Sequence, residues 1–533
     1  QSGAVLNGQN GTPNIPVYFD KTHFDKHIFV TGVTGSGKTT TCQKLLLESK
    51  QNFLVIEPAK TEYRALGDTF DDLLVFTLGK ETGAPFRLNP FEFFPSESIT
   101  SRVDLIMASM EAAFDMEAAI PQLLESAIYS CYEKKGWNIA TNRNKYYAST
   151  EEAFASADAV YPTLSQLNAE VEKGVDQQGF DDRLRAEYIG SIRARLKGLT
   201  VGAKGLMLDT PRSINFEQLL DRKVVIEMEN IKSGTEKSLI MGFILSNLSE
   251  AIKRKYTCTN RQIDHITLVE EAHRLLSKYV PGDSMNKKQG VEVFADMLAE
   301  VRKYGEALII ADQIPNKLTP EVLKNTNTKI VHKIFAQDDK EAIGNTMALK
   351  DEQKEFLSYL DAGRAVMVQP GLNKAVQIQI QQSRENDTER VPPEDSILRK
   401  RILRFYRDTY QQGILPGLEK LTEKPDEQMI ELYFECFSPR SEFIRTYRGM
   451  ISNPTENTDI HFLKKLLNRV QSSGLLSMFI RMTSVLLHNT KYSKAVEPEI
   501  ERCFRSIMEA QDNFRLCDAK DVDHGLCDDS LLR

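Results

Sequence analysis

One short stretch carries the plainest chemistry in the chain. Residues 32–39 read GVTGSGKT, a full match to the spacing G-x-x-x-x-G-K-[ST]. Gly32, Gly35 and Gly37, with Thr34 and Ser36 between them, let backbone amides turn inward to cradle phosphate oxygens, and the helix that follows points its positive end at them. Lys38 places a flexible cation on the β and γ oxygens, and Thr39 offers a hydroxyl to magnesium, with Thr40 beside it. Such a loop needs an acidic partner. HITLVEEAH supplies one as an apolar strand ending in Glu270 and Glu271, the first acid orienting the water shell of the metal and the second acting as base toward water. Further on, Gln313 follows the apolar run EALIIAD, where it can sense a γ-phosphate, and Arg302 precedes that run, as an arginine acting on a neighbouring site would. The plain alternatives are surface charge for the acid pair and solvated strand ends for Gln313 and Arg302.

Placing these residues requires a strand, a glycine loop and a helix in succession. HIFVT at 27–31 is the strand, and TTTCQKLLLESK has the apolar spacing of the helix. FLVIE at 53–57 closes a βαβ unit, which implies a parallel sheet. Sheet character returns at 223–229, 265–270, 306–312, 329–335 and 364–368, mostly separated by helical patterns. Between them, 96–220 reads as a large helical insertion. Residues 1–20 form an entry segment, 383–396 with Pro392 and Pro393 a linker, and 397–533 a helical C-terminal domain.

With 533 residues, 41% hydrophobic and 27% charged, the chain is long enough for two to four domains. A net charge of −7 argues against an overall basic coat, though not against a local basic channel. The 7 cysteines include no C-x-x-C pair, which disfavours a disulfide scaffold or zinc ribbon and favours a reducing compartment. No run approaches the roughly 18–20 apolar residues of a membrane span. A cytoplasmic location is the expectation.

Taken in order, GVTGSGKT, LVIEPAKTEYRAL, LNPFEF, LVEEAHRLL, RKYG with its strand and ADQ-P, and DAGRAVMVQPG resemble the HerA-type members of the HerA/FtsK superfamily of P-loop DNA-pumping ATPases, over about residues 16–381. The resemblance implies a RecA-like (ASCE) α/β core at 21–95 and 221–382, with Glu271 catalytic, Gln313 as sensor and Arg302 as a finger in the next subunit's site. It also implies ATP and Mg2+ at the interfaces of a homo-oligomeric ring, a hexamer by expectation. Lys26 stands where relatives carry a basic residue near the nucleotide. Where relatives read T-Q-R-P, this chain has Asp312, Gln313, Ile314 and Pro315, so the arginine is missing. The family's N-terminal β-barrel is expected ahead of residue 1, and residues 397–533 match nothing in the minimal pattern.

The leading functional reading is a ring-forming motor that threads double-stranded DNA, a DNA translocase or helicase working with an effector in anti-phage defence. The alternative is an ATP-binding oligomeric scaffold that regulates an effector such as a nuclease or a sirtuin-type NADase. Two further stretches invite binding: RARLKGLTVGAKG at 193–205 as a DNA-facing loop, and RKRILRFYRDTYQQ at 399–412 as an aromatic-basic stripe or an amphipathic packing helix. His524 between Cys517 and Cys527 could bind zinc, or lie in an acidic tail.

Overall fold

The computed structural model describes residues 3–6, 13–17, 24, 27–80, 85–114, 116, 119–156, 159–256, 264–380, 391–410, 414–415, 417–421, 424–438, 441–488, 493–511 and 513–516. The chain divides into two compact units, Gln1–Phe154 with Ala159–Arg401, and Ala155–Asp158 with Ile402–Arg533.

The first unit is built on one sheet. Its strands are β1 (Gly3–Leu6), β2 (Pro13–Val17), β3 (Ile28–Thr31), β4 (Asn52–Glu57) and β5 (Leu74–Thr77). After a two-residue ladder of β6 (Trp137–Asn138) and β7 (Arg143–Asn144) come β8 (Lys223–Glu227), β9 (His265–Glu270) and β10 (Glu306–Asp312). The last are β11 (Thr328–Val331), β12 (Arg364–Val368) and β13 (Val376–Gln379). Among the described residues the order is β2-β1-β13-β12-β11-β3-β10-β9-β4-β8-β5. Strands from β11 to β5 run parallel, whereas β12, β13, β1 and β2 add on antiparallel. Every residue of β3, β9 and β10 is buried. That is the pattern of strands covered on both faces, and it explains why they read as unbroken apolar runs. The fold is the expected α/β P-loop core with a mainly parallel sheet. The strand β10 lies between β3 and β9, so the glycine loop and the acid pair come from strands one apart.

Residues 1–20, read as an entry segment, contribute two strands to the sheet edge through β1 and β13. The strand expected over 329–335 stops at Val331 because His332 and Lys333 turn away to brace the glycine loop.

Between β5 and β8 the insertion is helical apart from β6 and β7. Its first helix, α2 (Ile99–Ala113), is capped by Ser98, whose side chain accepts from Ser101 N–H. It packs against the helices Gly234–Lys255 and Met285–Glu300. At that crossing Arg102 and Glu250, each 1% exposed, form an ion pair at 2.5 Å. Ser233 caps Gly234–Lys255, and Lys253, Arg254 and Lys255 in its last turn complement the helix dipole.

The second unit is helical, with Glu442–Ser452, His461–Ser472, Leu476–Leu487 and Ser493–Glu509 among its elements. Phe437, Phe443, Phe479 and Phe504 form its aromatic core. Among the described residues no helix is long and apolar enough to cross a membrane.

Candidate nucleotide site

Parallel strands end on one edge of a sheet, and the loops there gather side chains from several strands. Register decides which residues meet: Asp312 of β10 pairs with Thr31 of β3, and Ala311 pairs with Glu270 of β9. Gly32, Gln313 and Glu271 therefore leave the sheet at one level.

Close packing shapes the glycine loop. A Cβ on Gly32 would stand 2.6 Å from the His332 Cβ, and one on Gly37, at φ 107°, would stand 3.2 Å from the Gly363 backbone. The helix α1 (Lys38–Ser49) has neither an acidic residue in its first turn nor a side-chain cap. Its leading N–H groups are thus left for an anion. Behind the loop, Gly363 N–H donates to the Ser36 carbonyl and Val33 N–H to that of Lys333, both at 2.9 Å. His332 ties the assembly together. The Arg364 carbonyl, 3.0 Å from Nδ1, can only accept, so Nδ1 carries the proton and Nε2 takes the Thr41 hydroxyl at 2.8 Å. Burial lowers the His332 pKa to about 4, with the Lys38 charge adding to it, so the ring is neutral.

In front of the loop lies a cleft of about 360 Å3, bordered by Thr34, Gly35, Gly37, Lys38, Thr39, Thr40, Glu270, Glu271 and Gln313. Gly32 and Ser36 lie behind it, against His332 and buried, respectively. Lys38 Nζ is 3.4 Å from Glu270 Oε2. On the other side Thr34 Oγ1 donates to Gln313 Oε1 at 3.0 Å, and Gln313 Nε2 donates to Glu271 Oε1 at 2.9 Å. A hydroxyl of the loop, the amide and the second acid form one chain. Glu271 sits at φ 52°, in the left-handed region. The substituted position Asp312 has a structural use: fully buried, its carboxylate accepts the His273 N–H and Nδ1–H, each at 2.8 Å, and the Ile314 N–H at 2.9 Å. It pins the turn after β10 to the turn after β9, with Gln313 held next to it.

Several residues at the cleft were not singled out from the sequence. Glu57 ends β4 much as Glu270 ends β9. Its carboxylate accepts the N–H of Glu62 at 2.7 Å and of Tyr63 at 3.3 Å. Burial pushes its pKa up to about 8, against those two N–H groups and with help from the Glu227 and Glu270 charges. Glu62 takes hydrogen bonds from Lys60, at 2.7 Å, and from Thr39. Burial opposes its ionisation, but these bonds outweigh burial and hold its pKa below the ordinary value. The available signal was an acid at the end of a buried strand, the feature that marked Glu270.

Arg302 is not in the cleft. It is exposed in the 3-10 turn Val301–Tyr304 before β10. The seven residues of β10, about 23 Å at some 3.3 Å each, separate it from Gln313. Among the described residues that border the cleft there are lysines and no arginine. Residues 193–205 are not a loop: the helices Asp182–Leu199 and Gly202–Leu208 meet at Thr200 and Val201. Of the four basic side chains of 193–205, Arg193 is ion-paired to Glu172 and Lys204 to Glu236. Of the 399–412 stretch, residues 399–409 belong to the helix Asp395–Thr409, with Ile402, Leu403, Phe405 and Tyr406 buried, and 411–412 lie outside the described residues. Lys26, Cys517, His524 and Cys527 lie outside the described residues.

A family model described as "Helicase HerA, central domain" matches residues 3–248. A protein of Methanocaldococcus jannaschii named "Probable DNA double-strand break repair helicase HerA" is 25% identical over 395 residues, 67% of this chain and 71% of that protein. The "DNA double-strand break repair helicase HerA" of Sulfolobus acidocaldarius is 37% identical over 105 residues, 19% of this chain and 20% of that protein. Among solved structures, VirB4 of Thermoanaerobacter pseudethanolicus superposes with a TM-score of 0.55 at 17% identity, covering 72% of this chain and 97% of that one, a likeness of fold. With the glycine loop, the acid pair and the intervening strand on one sheet edge, these matches support reading the chain as an ATPase similar to the HerA helicases.

Proposed function

We propose that this ATPase assembles into a ring, hydrolyses ATP between subunits and uses the energy to move double-stranded DNA. The observation that carries the reading is the position of Arg302. Exposed at the edge opposite its own cleft, it is suited to complete the cleft of a neighbour, where no arginine stands among the described residues of the border and Arg274 is engaged beside Glu271 at 3.8 Å. In this reading Gly32, Thr34, Gly35, Ser36, Gly37 and Thr40 shape the triphosphate seat. Lys38 neutralises the β and γ oxygens. Glu271, held by Gln313, takes the proton of the attacking water, and Arg302 of the next subunit stabilises the charge that develops. Among the described residues no group of three or more His, Cys, Asp or Glu could hold a metal alone. The donor set fits magnesium, which commonly shares one or two protein oxygens with phosphates. Thr39 and Glu270 would hold it, and bound there it would offset charge across the β and γ oxygens. The DNA substrate rests on the names of the two HerA relatives.

A second reading, an ATP-dependent scaffold for an effector such as a nuclease or a sirtuin-type NADase in anti-phage defence, draws on the ion pairs that occupy Arg193 and Lys204, two of the four basic residues of 193–205. Steady-state ATPase with and without duplex DNA separates the two. The motor predicts stimulation by DNA and, in mass photometry, a ring of six. Turnover indifferent to DNA, appearing only beside an effector, would favour the scaffold.

A further inference from the structure

Glu270 keeps two partners, one on each oxygen. Oε2 faces Lys38 Nζ at 3.4 Å, and Oε1 accepts the Tyr63 hydroxyl at 2.6 Å. Tyr63 is completely buried and belongs to the apolar core under the sheet. Its backbone is fixed as well, since the Glu57 carboxylate accepts the N–H groups of Glu62 and Tyr63. The carboxylates are crowded. Glu57 pairs in register with Glu227, and Ile56 before it pairs with Val269 before Glu270, so three acids end three adjacent strands. Arg64 binds Glu227 through Nη2 at 2.6 Å and Nε at 2.8 Å, which settles one of them. Among the described residues Glu270 pairs with one cation, Lys38, and a bound triphosphate would draw that lysine to its own oxygens.

We propose that Tyr63 is a positioning residue of the ATPase site, holding the Glu270 carboxylate in orientation when Lys38 turns to the phosphates. The proposal rests on the reading of Glu270 as the carboxylate on the metal side. A phenol suits the task because it donates a hydrogen bond without cancelling the negative charge that a metal-side acid must keep. A phenol is protonated at neutral pH, so the hydroxyl at 2.6 Å from Oε1 is a donor.

The test is Tyr63→Phe, which keeps the ring and removes the hydroxyl. Two quantities are measured on the full chain: the free Mg2+ needed for half-maximal ATPase, and the rise in melting temperature on adding ATP with Mg2+ or with EDTA. We expect the ATP–EDTA rise to match wild type and the extra rise due to Mg2+ to shrink. The Mg2+ midpoint should move up roughly ten-fold, the lower end of what second-shell changes cost a metal site. A purely packing role would lower the melting temperature of the apo protein and leave the Mg2+ dependence alone. Glu270→Gln is run alongside, and the double variant should be no worse than Glu270→Gln by itself. If Glu270→Gln shifts the Mg2+ dependence and Tyr63→Phe does not, the positioning role is overturned while the reading of Glu270 stands. If neither shifts it, that reading falls and the proposal with it. Glu57→Gln loosens the backbone anchor of Tyr63 and should shift the midpoint the same way, by less. Should Tyr63→Phe fail to fold, an unshifted midpoint in Glu57→Gln overturns the proposal.

Discussion

Glu271 sits at φ 52°, where a side chain other than glycine costs about 1–2 kcal/mol. A strained residue persists only where its surroundings fix it, and here the Gln313 amide fixes it. The strain and the proposed chemistry therefore predict opposite effects of substitution. Glu271→Gln should lower turnover by about 10²–10⁴-fold, the range of a lost general base, with ATP binding intact. Glu271→Gly should lose turnover as fully while holding or raising stability by up to about 1 kcal/mol, since glycine accepts this backbone. Stopped-turnover assays and thermal melts read both, and an active Glu271→Gly would remove the residue from the mechanism. At this scale Lys38 is legible in the sequence through the spacing of the glycine loop, and Glu270, Glu271 and Gln313 through their places at the ends of apolar runs. Tyr63, Glu62 and His332 are not. They reach the site from turns whose course depends on hydrogen bonds such as Thr41 to His332, joining residues far apart in the chain.

Among elements, the strands that run through the sheet centre announce themselves as buried apolar runs, whereas the edges do not. The membership of β5, β13, β1 and β2 depends on partners distant in sequence. The insertion shows how its helices are held. Arg102 and Glu250 form a fully buried pair where α2 crosses Gly234–Lys255. Removing one partner strands a charge, so Arg102→Ala should destabilise by about 3–5 kcal/mol. Replacing both with apolar residues of similar volume should cost much less. The single tryptophan, Trp137, is buried against Tyr161 and reports the melt of this region by fluorescence. Equal losses for the single and double variants would mean that the pair contributes through shape and not charge.

The whole molecule carries buried histidines in both units. His27 and His332 in the first and His488 in the second each have a pKa lowered to about 4, in every case mainly by burial. An unfolded histidine titrates near 6.5, so between about 6.5 and 4 the unfolded chain binds more protons than the folded one. Stability is then intact above that window and declines as pH falls through it, by up to about 3 kcal/mol per histidine. His488→Gln, whose amide oxygen can still take the Tyr447 hydroxyl, should make the decline of the second unit shallower; an unchanged slope would contradict a neutral buried His488. In the proposed function each ATP site is completed by the next subunit, and mixing inactive variants puts this to the test. Lys38→Ala and Arg302→Ala rings should each hydrolyse little ATP. Co-assembled, they form sites in which an intact Lys38 meets an intact Arg302 from its neighbour, so the account predicts ATPase activity well above the sum of the two. Mixed rings, verified by mass photometry, with no gain over that sum would contradict a shared site.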